Sequence, residues 1–172
     1  MVKPFAWDKG LDYMKTYKLI LDHYRNINRD TSKAYDIILL TQLRNGSRLT
    51  EAINFLNTII ETKPFKRQAY IKVEKRKDGY ERLMVLPEEI SKQELMRVSY
   101  IIKEANKWKV SNYCRRTYGF NTHALRYALI SYLSQKGVAP QLIAKITGHK
   151  TLDYILYYTQ QTKAEELLKD LR

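Results

Sequence analysis

Cysteine is almost absent from this 172-residue chain, where Cys114 stands alone. An internal disulfide is therefore excluded, and the usage fits a reducing interior. Histidine is nearly as scarce: three scattered residues beside one cysteine leave little to build a zinc site from. No apolar run approaches the ~18 residues of a membrane-crossing helix, no signal-peptide pattern is visible, and no amphipathic basic tail stands apart from the rest. The G-x-x-x-x-G-K-[ST] loop of nucleotide-hydrolysing enzymes is missing, as are internal repeats and low-complexity segments. Acidic residues are in deficit, with 18 Asp and Glu against 31 Lys and Arg, for a formal net charge of +13. Such an excess points to a polyanionic partner. Without a membrane signal, nucleic acid is the better match. The 44% apolar content is too high for a disordered chain, and the length suits one domain with a real core.

What is present reads as mostly helix. Residues 1–10 form a loose lead-in broken by Pro4 and Gly10. From Leu11 to Ile27 the apolar spacing is helical (Leu11, Met14, Tyr17, Leu21, Tyr24), and His23 within it reads as an ordinary structural or surface residue. Asp30-Thr31-Ser32 supplies caps for a second helix carrying Ile37, Ile38, Leu40 and Leu43, stopped by Asn45-Gly46. Ser47 can cap a third, with Leu49, Ala52, Ile53 and Leu56 turned inward. The period then changes. Ile71 and Val73 alternate within 69–76, and Leu83 and Val85 alternate within 81–86, with Asp78-Gly79 between them as a hairpin signal. Pro87 ends the second strand, and Ser91-Lys-Gln-Glu94 opens a long helix through Leu95, Met96, Val98, Ile101 and Ile102. The basic and aromatic segment 107–120 reads as loop or short turns near DNA. A short acidic–basic tail helix is expected over 164–172.

The richest stretch runs from Asn121 to Gln160. His123 and Arg126 are three residues apart, so on a helix both leave one face. Leu125, Leu129, Tyr132 and Leu133 mark the adjoining apolar stripe, so the helix is expected to be buried on one side. An imidazole and a guanidinium near a helix N-terminus, whose free N–H groups favour anions, suit a phosphate. Gly148-His149 and Tyr158-Thr159 follow.

This constellation resembles the C-terminal signature of the tyrosine recombinases, the integrase family: H-x-L-R, then Gly-His, then a nucleophilic Tyr nine residues after that second His. Here His123-Ala-Leu-Arg126, Gly148-His149 and Tyr158 follow that order and spacing. The resemblance implies two further parts. The string Asn45-Gly46-Ser47-Arg48-Leu49-Thr50-Glu51 looks like the family's first-arginine motif, G-x-R-x-x-E, with Arg48 as the first catalytic arginine and Glu51 as its acidic buttress. The family also carries a catalytic lysine on a hairpin. Lys77 is the first choice, from Lys77-Asp78-Gly79; Lys75, on the same face, is the runner-up; Lys72, on the other face, is third. Three tyrosines compete near the end. Tyr154 shares a face with Tyr158 at i,i+4, and Tyr157 is turned away; the spacing from His149 selects Tyr158.

The implied chemistry is metal-free cleavage and rejoining of DNA, with no ATP, no Mg²⁺ and no other cofactor. Tyr158 would form a 3′-phosphotyrosine link, Arg48 and Arg126 would clamp the non-bridging oxygens, His123 would accept the tyrosine proton, the hairpin lysine would protonate the leaving 5′ oxygen, and His149 would hydrogen-bond the phosphate. The residue types fit phosphoryl chemistry independently, since guanidinium forks hold phosphate bidentately. The implied fold is a single, mainly α catalytic domain over 1–172 with a small antiparallel β-hairpin. Only 47 residues precede Arg48, too few for the family's N-terminal clamping domain, so an excised fragment or a minimal protein is expected. The implied partner is double-stranded DNA carrying a specific site, bound as a homo-tetramer, with a monomer compatible off DNA and no membrane. The setting is the cytoplasm of a prokaryotic cell or of a virus's host, and the Lys-, Ile- and Tyr-rich composition suits an AT-rich viral or archaeal source. Two other readings compete: a type IB topoisomerase-like enzyme with a similar residue set, and a non-enzymatic DNA-binding module. All six positions being present argues against the latter.

Overall fold

Sixteen residues, Asp30–Asn45, form a helix that is buried without a break from Ala34 to Leu43, with Asp36, Thr41 and Gln42 taken inside along with its apolar residues. In the computed structural model, which describes residues 11–171 but not the side chains of Tyr154 and residues 157–163, this helix (α2) is the centre of the domain. Around it pack α1 (Tyr13–Asn26), α3 (Leu49–Glu61), a two-stranded antiparallel sheet of β1 (Gln68–Lys72) and β2 (Glu81–Val85), α4 (Lys92–Arg97), α5 (Ser99–Glu104), α6 (Lys107–Tyr118) and α7 (Thr122–Gln135). The main core gathers Ile20, Ile37, Leu40, Phe55, Met84, Ile102 and Leu125. A second, smaller cluster joins α7 to α8 (Pro140–Thr147) and α9 (Asp153–Asp170) through Tyr127, Ile130, Ile143 and Ile155. The helix carrying His123 and Arg126 is thus wedged between two clusters. It is buried on nearly every side from Ala124 to Ile130, where the sequence suggested burial on one side only.

The mainly α expectation with one hairpin holds, and several local details differ. Ser47 does not cap α3; Arg48 occupies the N-cap position without a side-chain cap bond. The Ser47 N–H donates to the Gln42 carbonyl (3.2 Å), so Ser47 is spent closing α2 around Gly46, which is left-handed at φ 59°. Ser91 does cap α4 by accepting from the Glu94 N–H (3.1 Å), but the long helix breaks at Val98 into α4 and α5. Segment 107–120 is not loop. Asn106 caps α6, Val110 and Cys114 turn inward at i,i+4, and Gly119 ends it. A two-residue inward stripe is a weak signal among so many charges. The tail is the second half of α9, which runs unbroken from Asp153 to Asp170.

The hairpin differs most. Pairing of Gln68 with Val85 through Lys72 with Glu81 centres the connection near Arg76 and Lys77, so Asp78-Gly79 is not its tip. The Asp78 carboxylate instead accepts from Arg76 (2.6 Å). In β2 the inward residues are Arg82 and Met84; Leu83 faces out opposite Tyr70. The expected inward pair, Leu83 and Val85, is off by one residue, because a buried arginine was not anticipated on the core face. The Asn45 side chain fixes this register: its amide accepts from the Val85 N–H and donates to the Val85 carbonyl, both at 2.9 Å.

His23 has the structural role expected of it. Its Nδ1 lies 2.6 Å from the Asp36 carboxylate, which also accepts from the Tyr113 and Tyr118 hydroxyls, tying α1, α2 and α6 together.

A Cβ on Gly46 would lie 2.8 Å from Leu129 Cδ2 and 3.0 Å from Thr147 Cγ2, while one on Gly79, also at positive φ, would meet nothing within 4 Å. Gly46→Ala should therefore destabilise by about 1–3 kcal/mol in urea denaturation, and by more than Gly79→Ala, which carries the backbone cost alone.

Candidate active site

Four chain segments converge beside the C-terminal ends of α2 and α8. Arg48 follows the Gly46 turn. Its Nη1 donates to Glu51 Oε2 and to the Glu74 carbonyl, each at 3.1 Å. Glu51 is fully buried, and its Oε2 also accepts from the Glu74 N–H at 3.2 Å. The Thr50 hydroxyl bonds the Glu74 carboxylate. The start of α3 thus grips the hairpin one residue before Lys75.

Arg126 rises from the second turn of α7 and is 2% exposed. Its Nη1 donates to the Gly46 carbonyl (3.3 Å), and its Nη2 lies 3.1 Å from His149 Nε2 and 3.2 Å from Nδ1. The Thr147 hydroxyl gives its proton to the Ile143 carbonyl (2.8 Å), so its oxygen accepts from His149 Nδ1 at 2.6 Å. His149 Nδ1 then carries the proton, and Nε2 accepts from Arg126. Burial first, then the charges of Arg126, Arg48 and Arg82, push His149 down to about 3, so it is neutral near pH 7. Burial and neighbouring cations lower Arg126 to about 10, which leaves it charged at that pH.

His123 is exposed by surface area yet has enough protein around it to be desolvated. That desolvation, with the positive charges of Arg126, Arg48, Lys107 and Lys75, lowers its pKa. The backbone of His123 is held by Asn121, whose side chain accepts its N–H (2.9 Å). Beside it opens a cleft of about 350 Å³ lined by Lys107, Trp108, Asn112 and Arg115 from α6.

The structure therefore brings together Arg48, Glu51, His123, Arg126 and His149. Lys75 is among the positive charges that lower His123, and it follows the anchored Glu74 at φ 66°; Lys77 lies beyond it toward the tip. Lys72 pairs with Glu81 within the sheet. Position 158 falls in α9, but the side chains of Tyr158 and its competitors Tyr154 and Tyr157 lie outside the described residues. Among those residues no group of three or more His, Cys, Asp or Glu is placed to hold a metal, and no helix is long and apolar enough to cross a membrane.

Sequence reading missed Arg82. It is 2% exposed and bonds the Asn45 and Thr147 carbonyls; its Nη1 is 3.9 Å from Glu51 Oε1. Its signal was the alternation with Met84 and Leu86, readable only once the register was known.

The depressed His149 fixes a pH dependence. Between about pH 6.5 and 3 the unfolded chain binds a proton there that the folded chain refuses, so stability falls as pH drops through that window. His149→Asn should lose less stability between pH 7 and 5 than the parent, measured by urea denaturation at both.

No protein-family model matches the chain. A protein of Acidianus two-tailed virus named "Putative integrase ORF241" is 39% identical, the match covering 96% of this chain and 69% of that protein. An uncharacterized protein of Methanocaldococcus jannaschii is 34% identical over 96% of this chain and 89% of its own. Among solved structures, the DNA-bound XerH site-specific recombinase superposes with a TM-score of 0.61 at 15% identity, covering all of this chain, which spans 56% of that one. The DNA-bound Tn1549 transposon integrase gives 0.56 at 13% identity, covering 96% of this chain and 68% of its own. The chain belongs to the tyrosine recombinase, or integrase, family.

Proposed function

We propose that this chain cuts and rejoins double-stranded DNA at a specific site through a 3′-phosphotyrosine at Tyr158, as a homo-tetramer on DNA. The observation that carries the reading is an imbalance of charge. Arg82 and Arg126 are buried and Arg48 is partly so, while Glu51 is the one fully buried carboxylate among them. Such an excess is costly for a resting protein and suits a visiting anion. Arg48 and Arg126 would hold the two non-bridging oxygens of a phosphodiester, where negative charge grows in the transition state. The Tyr158 oxygen attacks phosphorus, the P–O5′ bond breaks, and the tyrosine proton passes to His123. A neutral His123 at physiological pH can accept it. Lys75 gives a proton to the leaving 5′ oxygen; its charge reaches His123, which favours it over Lys77. His149 orients Arg126. The guanidinium clamp supplies the charge neutralisation, so the proposed step draws on no metal and no ATP. The basic cleft along α6 suits flanking DNA backbone.

On a nicked duplex carrying the cognate site, the parent should accumulate a covalent protein–DNA adduct, equally with EDTA, and peptide mapping should find it on Tyr158. Tyr158→Phe should bind the duplex and form none, whereas Tyr154→Phe and Tyr157→Phe should still form it. An adduct on either neighbour would sink the assignment. Resolution of a synthetic four-way junction separates a recombinase from an enzyme that only relaxes supercoils.

Lys75→Ala should slow cleavage by about a hundredfold or more. Sulfur in place of the bridging 5′ oxygen should restore the rate, because a thiolate leaves without a proton. Rescue of Lys77→Ala instead would return the role to Lys77.

A further inference from the structure

We propose that Arg82 is a positioning residue of this site, its guanidinium fork holding the ends of α2 and α8 at the spacing that sets Arg48, Arg126 and His149 around one phosphate. The proposal rests on the recombinase reading above. Arg82 sits on β2 opposite Ile71, in an inward row otherwise filled by Met84 and Leu86. One arm, Nη2, donates to the carbonyl of Asn45, the last residue of α2. The other, Nη1, donates to the carbonyl of Thr147, the last residue of α8, at 3.4 Å. Arg48 lies three residues beyond the first contact and His149 two beyond the second. Each helix ends in a left-handed glycine, Gly46 at φ 59° and Gly148 at φ 80°. Helix ends leave orphan carbonyls and a partial negative charge, which receive a cation well.

Stability alone is a poor reason to keep this arginine. Its Nε–H has no hydrogen-bond partner among the described residues, nor has Glu51 Oε1, which stands 3.9 Å from Nη1. Buried ion pairs of that quality are often replaced by apolar side chains without loss. What an apolar side chain cannot do is bridge two helix ends. Arg126 makes the complementary contact, donating to the Gly46 carbonyl, so two guanidiniums bracket the end of α2 and Arg126 reaches on to His149. Lysine would keep the charge but lose the planar fork that spans both carbonyls. A displacement of about 1 Å in such a constellation can cost roughly a hundredfold in rate.

The test compares the parent chain, Arg82→Met and Arg82→Lys by adduct formation at saturating nicked duplex, by DNA affinity, and by NMR titration of the His149 ring without DNA. Per folded molecule, Arg82→Met should form adduct roughly a hundredfold more slowly with affinity nearly unchanged. His149 should titrate higher in Arg82→Met, because one of the cations depressing it is gone. Arg82→Lys should return the titration toward the parent while the rate stays low: charge restored, fork absent. Parent-like cleavage by folded Arg82→Met, or by Arg82→Lys, overturns the proposal, as does a rate loss that merely tracks lost affinity. If Arg82→Met fails to fold, Arg82→Lys decides; if that too fails to fold, Arg82 is a folding residue only and the proposal falls. If the parent forms no adduct, the recombinase reading fails by itself, and the backbone amide shifts of Gly46 and Gly148 in Arg82→Lys, which keeps the charge and loses the fork, decide whether Arg82 sets the site's geometry; parent-like shifts there overturn it.

Discussion

Most of this architecture follows from one constraint: three guanidiniums share a small volume with a single buried carboxylate. Glu51 binds Arg48 through one oxygen and faces Arg82 with the other. The remaining positive charge is met by carbonyls, from Asn45, Gly46 and Thr147, at the C-terminal ends of two helices. Those helices must therefore end at this spot, and each ends in a glycine packed too closely to carry a side chain. A Cβ on Gly148 would lie 2.7 Å from Val73 Cγ2. The centre is assembled from α2, α3, β2, α7 and α8, so no single element contains it.

The same charges tune their neighbours. His149 is held neutral by burial beside three cations, and its ring nitrogens are engaged by Thr147 and Arg126. His123, at the rim, is also depressed, by desolvation and the positive charges around it. One helical turn separates the two α7 residues. Burial differs sharply across that turn: Arg126 is enclosed and bonded to Gly46 and His149, while the His123 side chain lies at the surface.

Much of the fold was legible because its signals are local. Helical apolar spacing marked α1, α2, α3 and α7, and strand alternation with turn residues marked the hairpin. The missed features depend on distant partners. Helix α6 has only Val110 and Cys114 fully inward. Ser47 looks like a cap but is drawn into closing α2. Asp78-Gly79 looks like a hairpin tip, yet the cross-strand register places the tip earlier, near Arg76 and Lys77.

Residue types and their order are written in the chain: an arginine after a glycine turn, a histidine and an arginine one helical turn apart, a Gly-His, and a tyrosine nine residues on. Chain order is enough for that, because each motif is a few residues long and its chemistry is written in its side chains. Folding in three dimensions sets which cations are buried, which way β2 faces, and that Arg82 joins the ends of α2 and α8. Those outcomes depend on residues 37 to 65 positions apart, Asn45 and Thr147 on either side of Arg82, meeting across a core. A one-residue change of register, invisible to composition, turns an arginine from solvent into the centre of the site.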